Sequence, residues 1–343
     1  MRKLLNSLFI VSDDVYLTLE GENIVVLKGD EKAGRFPLHT LENILCFSYK
    51  GASPALMGKC ARAGIGLAFF SPSGRFLART LGESRGNVLL RKEQYRRSDN
   101  QVASCQISKH FLLGKIYNSR GVLERATRDH PLRIDIQAVR QVSSVLAQSL
   151  NDIAVGGNLD YLRGVEGQAA AQYFSVLDQL VLQNKEDFAF KGRSRRPPLD
   201  RFNALLSFLY TLLASQCAWA LEGVGLDSYV GFLHRDRAGR RSLALDLMEE
   251  LRPILADRLA LTMINNREIR SEHFEMQESR AVLLNDSGRK VVLAAWQERK
   301  RETLTHPFLE EKMAWGLVPH LQALLLARYL RGDTDDYPPF LWK

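Results

Sequence analysis

Near residue 86 the spacing of apolar residues changes from short alternating runs to a three- and four-residue repeat. That shift divides the chain into two kinds of structure. Before it, NSLFIVS, VYLTLEG, NIVVLKG and NILCFSY are short, rich in β-branched and aromatic residues, and separated by Asp, Gly and Asn turn signals. Gly21, Glu22 and Asn23 suit a hairpin turn between the second and third. One short helix, SPALMGKCARAG with Ser53 as its cap, precedes the strand-like IGLAFFS. After the shift, helical spacing runs through 87–128, 134–153, 158–183, 201–222, 242–266 and 306–332. The charged stretch 185–201, with Pro197 and Pro198, reads as a connecting loop, and 272–296 reads as strand-like with a hairpin around Asn285, Asp286, Ser287 and Gly288. The expectation is an α+β chain. Residues 1–85 form a β-rich, sandwich-like domain with one short helix, and residues 86–343 form a larger all-helical domain.

A chain of 343 residues is long enough for two such cores, and its 45% hydrophobic and 25% charged fractions are those of an ordinary globular protein. No run of about 18 uncharged apolar residues is found, so no transmembrane helix and no membrane partner are expected. The opening MRKLLNSLFIVSDDVYL reads as a first strand, because acids interrupt it and no cleavage site follows. Cys46, Cys60, Cys105 and Cys217 are scattered, which fits neither a zinc knuckle nor a disulfide framework and points to a reducing cytoplasm. The formal net charge is +8, and basic residues cluster at 91–97, 191–196 and 235–241. A basic chain concentrates polyanions around itself. Arg193, Arg195, Arg196, Arg235, Arg237, Arg240 and Arg241 are therefore candidate phosphate contacts, with solvated surface charge as the alternative.

Three acids fall where a helix should be apolar. Glu166 lies within the stripe Leu162, Val165, Ala169, Tyr173, Val176, Leu177 and Leu180, where an unpaired carboxylate costs several kcal/mol. It needs either a buried ion pair or a metal ion. Ser242 is placed to cap the next acidic helix, SLALDLMEEL, in which Asp246 and Glu249 share a narrow edge between two apolar sides. Pro253 lacks an N–H, so the Glu249 carbonyl loses its helical partner and a bend should follow. His234 ends the apolar run SYVGFL just before the arginine-rich loop. One imidazole with two or three carboxylates suits Mg²⁺ or Mn²⁺, and such an ion beside arginines suits phosphodiester chemistry.

YLRGVEGQAAAQYF, RRPPLDRFNALLSFLYTLL and GFLHRDRAGRRSLALDLMEELRP, in that order, resemble the CRISPR-associated adaptation endonuclease–integrase family, the universal spacer-acquisition enzyme. The DLMEELRP wording resembles the form found in type I, subtype C systems. The resemblance implies a metal site of Glu166, His234 and Glu249, with Asp246 and Glu250 in support and Asn203 and Ser207 bordering it. It also implies a homodimer assembled through the β domain, a small second CRISPR-associated adaptation protein in a heterohexameric complex, and a prespacer-processing nuclease as a further partner. The implied reaction inserts short duplex prespacers into a repeat array by 3′-hydroxyl attack on repeat phosphodiesters, using Mg²⁺ or Mn²⁺. Two rivals remain from the residues alone: a metal-dependent nuclease for branched DNA, and a non-catalytic basic scaffold.

Overall fold

Alternation and short turns do produce strands over the first part of the chain. The computed structural model describes residues 6–10, 12, 14–71, 76–80, 82 and 88–342. Strands β1 (Asn6–Ile10), β2 (Tyr16–Glu20), β3 (Asn23–Lys28), β4 (Glu31–Pro37) and β5 (Leu41–Cys46) come first. Helix α1 (Pro54–Ala63) and strands β6 (Gly66–Phe70) and β7 (Phe76–Arg79) follow. β2, β3 and β4 form an antiparallel sheet, and the second sheet has the order β1-β5-β6-β7. Glu20 pairs with Asn23, so the first hairpin turn is only Gly21 and Glu22, and Gly21 takes the positive φ (61°) that this turn requires. β5 and β6 run parallel, which demands a crossover, and α1 supplies it. Its cap is Ser53, whose side chain accepts from the Leu56 N–H at 3.3 Å. β4 is a strand that hydrophobic patterning misses: EKAGRFP is largely exposed at a sheet edge, where Gly and Pro are tolerated.

The central strands β5 and β6 of the second sheet bury side chains on both faces. Ile44 and Leu67 join Leu17, Ile24 and Leu56 in a small core within the β-rich region. Leu45, Phe47, Ala68 and Phe70 point the other way into the helical core, where Phe47 stacks on Phe70 with centroids 4.9 Å apart. The expected division at 85/86 falls outside the described residues.

The helical part contains α2 (Val88–Asp99), α3 (Gln101–Asp129), α4 (Ile136–Val155), α5 (Leu159–Val176), α6 (Arg201–Gly223) and α7 (Ser242–Leu251). These are followed by α8 (Arg258–Asn265), β8 (Phe274–Met276), β9 (Val282–Leu284), α9 (Asp286–Arg301), β10 (Thr303–Thr305), β11 (Lys312–Ala314) and α10 (Val318–Arg331). Three expectations are corrected. Asn100 caps α3 by accepting from Val102 and Ala103 N–H, so 87–128 is two helices. Residues 286–301 are helical: Asn285 is an N-cap accepting from Gly288 N–H, and Val292, Leu293 and Trp296 are buried at helical spacing. The domain is not all helical, because β8–β9 and β10–β11 form small antiparallel hairpins. α6 is long and apolar enough to cross a membrane by composition, yet Leu205, Leu209 and Leu213 are buried in the helical core.

Where the sequence predicts a bend after Glu249, the helical bonding changes. α7 ends at Leu251, and Arg252–Asp257 widen into a π-helical turn before α8 begins. The missing N–H of Pro253 gives its cause, and such widened turns recur at functional sites.

Candidate active site

Three helices supply the site. α3 buries Phe111, Leu112, Ile116 and Val122, and Lys115 falls on the same stripe. α5 places Glu166 one turn before the buried Ala169 and one turn after the buried Leu162. α7 buries Asp246, Glu249 and Glu250 almost completely. A 100° step per residue sends Glu249 and Glu250 to different neighbours, whereas Asp246 and Glu249, three residues apart, stay on one side.

Lys115 stands between the two glutamates. Its ammonium is in short contact with Glu166 Oε1 and lies 2.7 Å from Glu249 Oε2. Glu249 Oε2 is buried, and the Lys115 ammonium is the cation against it. Arg252 Nη2 donates to Glu249 Oε1 at 2.6 Å, and His234 Nε2 lies 4.0 Å from the same oxygen. Burial works to raise the Glu249 pKa, but Arg252, Lys115 and His234 together outweigh it and hold the carboxyl down at about 2. Glu249 is therefore a permanent anion in the interior. Neither Lys115 nor Arg252 was singled out from the sequence. Lys115 had a visible signal, a charged residue on an apolar helical stripe.

His234 is fixed by Asp246. Asp246 Oδ2 accepts from the Phe232 and Leu233 N–H groups at 2.7 and 3.0 Å, and Oδ1 accepts from the His234 N–H at 3.0 Å. The imidazole Nδ1 is 2.6 Å from Oδ1. A carboxylate can only accept, so Nδ1 carries its proton toward Asp246; in the neutral ring the lone pair is then on Nε2, the nitrogen nearer Glu249. Wrapping a backbone this closely requires glycine. A Cβ on Gly231 would stand 2.8 Å from Asp246 Oδ2 and 2.9 Å from the Ser242 carbonyl carbon. Ser242 does not cap α7; Arg241 holds that position, and the Ser242 hydroxyl donates to the Arg235 carbonyl at 3.2 Å, closing the loop.

Other expected residues lie elsewhere. Glu250 faces away from Glu166 and His234 and anchors the C-terminal segment through Tyr337, Gln322 and the Phe340 N–H. Its burial lifts the carboxyl to about 7 against the pull of those donors. Asn203 and Ser207 do not touch the acids. They accept from Arg193 at 2.6 and 3.0 Å, and Tyr210 is sandwiched by Arg193 and Arg252, 5.2 and 4.8 Å from its ring centre. Arg193 is consequently a half-buried structural arginine, and Arg241 is likewise half-buried against Tyr229. Arg195, Arg196, Arg235 and Arg237 are exposed and Arg240 is partly so, with Arg235 paired to Asp160 at 2.7 Å.

Among the described residues no three His, Cys, Asp or Glu side chains converge closely enough to hold an ion as they stand, because the Lys115 ammonium is inserted between the acids. The donor set nevertheless fits a hard divalent cation. It comprises two carboxylates from separate helices, which already share one cation, and an imidazole whose Nδ1 is held by a carboxylate.

The family model for "CRISPR associated protein Cas1" matches residues 8–298, which include every residue of this site. A Rhodospirillum rubrum protein named CRISPR-associated endonuclease Cas1 2 is 51% identical over 347 residues, covering 100% of both chains. Among solved structures, a casposase bound to integration product superposes with a TM-score of 0.84 at 21% identity, covering 98% of this chain and 93% of that one. A Cas6-RT-Cas1–Cas2 complex gives 0.81 at 22% identity, covering 99% of this chain and 36% of that one. At these identities the structural likeness is one of fold. Family model and full-length relative agree, and the chain belongs to the CRISPR-associated Cas1 family.

Proposed function

We propose that this chain is a metal-dependent DNA endonuclease and integrase of CRISPR adaptation, of the kind found in type I, subtype C systems. The observation that carries the reading is one cation held between carboxylates from α5 and α7, beside an imidazole whose Nδ1 is held by Asp246 so that Nε2 is the nitrogen left to ligate. Glu166, Glu249 and His234 would hold Mg²⁺ or Mn²⁺, which supplies Lewis acidity toward a phosphodiester oxygen and lowers the pKa of an attacking hydroxyl. The protein's own groups do the rest. Asp246 orients His234, Arg252 keeps Glu249 ionised, and Glu166 sits on the partly exposed side, 27% accessible, where a duplex can approach. The exposed Arg195, Arg196, Arg235 and Arg237, with Arg240 beside them, contact backbone phosphates and set the register of the DNA without reading its sequence.

In this reading a prespacer 3′-hydroxyl attacks a repeat phosphate and displaces the adjoining 3′-oxygen, and water in place of the hydroxyl gives hydrolysis. The names of the relatives support it, since one is an endonuclease, one neighbour is a casposase on its integration product, and another includes Cas2. A Cas2-like partner, a homodimer joined through the β-rich region, a heterohexameric complex, a prespacer-processing nuclease and action in the cytoplasm belong to the same proposal. The test incubates the chain and its Cas2-like partner with Mg²⁺ or Mn²⁺, a duplex prespacer and a supercoiled plasmid carrying a repeat array. Joined products should form with metal, vanish with chelator, and vanish in Glu166→Gln and His234→Ala. Undiminished joining by those variants would overturn the reading.

A further inference from the structure

Lys115 is the site residue that the proposed reaction leaves without a task. Its side chain is 9% exposed, and it bridges Glu166 of α5 and Glu249 of α7 from a third helix, α3. A lysine on a buried stripe costs desolvation unless carboxylates surround it. Here both carboxylates are the ones that the metal reading needs. Three carboxylates, Glu166, Asp246 and Glu249, meet two cations, Lys115 and Arg252. A divalent ion added with the ammonium in place would bring the two cations into direct repulsion and leave excess positive charge. Added in exchange for the ammonium, it leaves the cluster balanced.

Lysine also suits exchange in a way that arginine does not, being a point charge on a flexible four-carbon stem without a fixed fork of donors. Arg252 holds Glu249 alone, through a 2.6 Å hydrogen bond to Oε1, whereas the Lys115 ammonium is shared between Glu249 Oε2 at 2.7 Å and Glu166. Of the two cations on Glu249, Lys115 is the one that also occupies Glu166, so its departure frees both acids at once.

We propose that Lys115 is the resident counter-cation of this site: it keeps Glu166 and Glu249 together while no metal is bound, and the metal ion binds by exchange with its ammonium. The proposal rests on the metal site proposed above. It makes Lys115 a positioning residue that preassembles the ligands and sets metal affinity.

The experiment measures Mn²⁺ affinity by calorimetry in the wild type, Lys115→Met, Glu166→Gln and His234→Ala. It also maps acylation of Lys115 by an amine-reactive reagent in the wild type, with and without Mg²⁺. Removing the competing charge should tighten Mn²⁺ binding by about tenfold or more, and Mg²⁺ should raise acylation of Lys115 in the wild type. Equal or weaker binding by Lys115→Met overturns the exchange. So does acylation that ignores Mg²⁺, and this wild-type measurement decides the matter alone if Lys115→Met does not fold. If Glu166→Gln and His234→Ala bind Mn²⁺ as the wild type does, the metal site itself is wrong. If they lose binding while Lys115→Met is unchanged, only the exchange fails.

Discussion

Asp246→Asn isolates what one buried carboxylate does for the site. The native carboxylate accepts three backbone N–H groups and the imidazole Nδ1–H, two contacts on each oxygen. An amide can accept on one side only. Turning its NH₂ toward Phe232 and Leu233 abolishes two charge-assisted bonds, whereas turning it toward His234 abolishes one, so the second orientation is preferred. The lost bond costs about 1.5–3 kcal/mol, and the surviving two weaken as the charge disappears, giving a total of about 2–4 kcal/mol. A domain with about 5–15 kcal/mol of stability still folds. The amide N–H now faces Nδ1, so Nδ1 must become the acceptor and the ring proton moves to Nε2. That removes the lone pair facing Glu249, and joining activity should collapse even in protein that is fully folded. Denaturant unfolding gives the stability change, and long-range ¹H–¹⁵N correlation of the imidazole gives the tautomer. Wild-type stability with the proton still on Nδ1 would refute this account of Asp246.

Three other perturbations follow from the same geometry. Glu250→Gln addresses pH: the folded carboxyl is raised from 4.5 to about 7, so its contribution is full below about 4.5 and is lost as pH rises through 7, about 3 kcal/mol in all. Unfolding midpoints between pH 5 and 8 should fall in the wild type and flatten in the variant, with a residual slope from Asp257, raised by burial to about 6; parallel profiles would count against the shift. Gly231→Ala should lower the melting temperature and weaken joining, because its Cβ meets Asp246 Oδ2 at 2.8 Å and overpacking costs about 1–3 kcal/mol. An unchanged melt would show that the loop gives way freely. Replacing Arg235 and Arg237 together by Ala should flatten the plot of log affinity for duplex DNA against log salt by about 0.9 per lost contact. Arg193→Ala should instead lower stability and leave that slope alone, and a slope change on Arg193 would reverse the assignment.

Local chemistry made much of the fold legible. Ser53 is a cap because its hydroxyl accepts from Leu56 N–H, and the π-helical turn after α7 follows from Pro253 having no N–H. Errors arose where one residue type serves two roles. Asn285, Asp286, Ser287 and Gly288 suit a hairpin turn and a helix start equally, and here Asn285 caps a helix that buries Val292, Leu293 and Trp296. β4 escaped notice because an edge strand needs no hydrophobic face of its own.

The site was legible to the extent that charge in an apolar stripe is legible. Glu166 and Glu249 stood out by that rule, and Lys115 satisfies it equally, between Leu112 and Ile116 on α3. What the rule cannot supply is pairing. Lys115 meets Glu166 across 51 positions, and the Glu250 carboxyl meets the Phe340 N–H across 90, through helix packing that no local spacing encodes. Glu249 and Glu250 are neighbours with one chemistry in the sequence, yet Arg252 and Lys115 hold one at about 2 while burial lifts the other to about 7. The α7 backbone decides this by sending successive side chains to different partners, and only the first of the two is left as an anion fit to hold a metal ion.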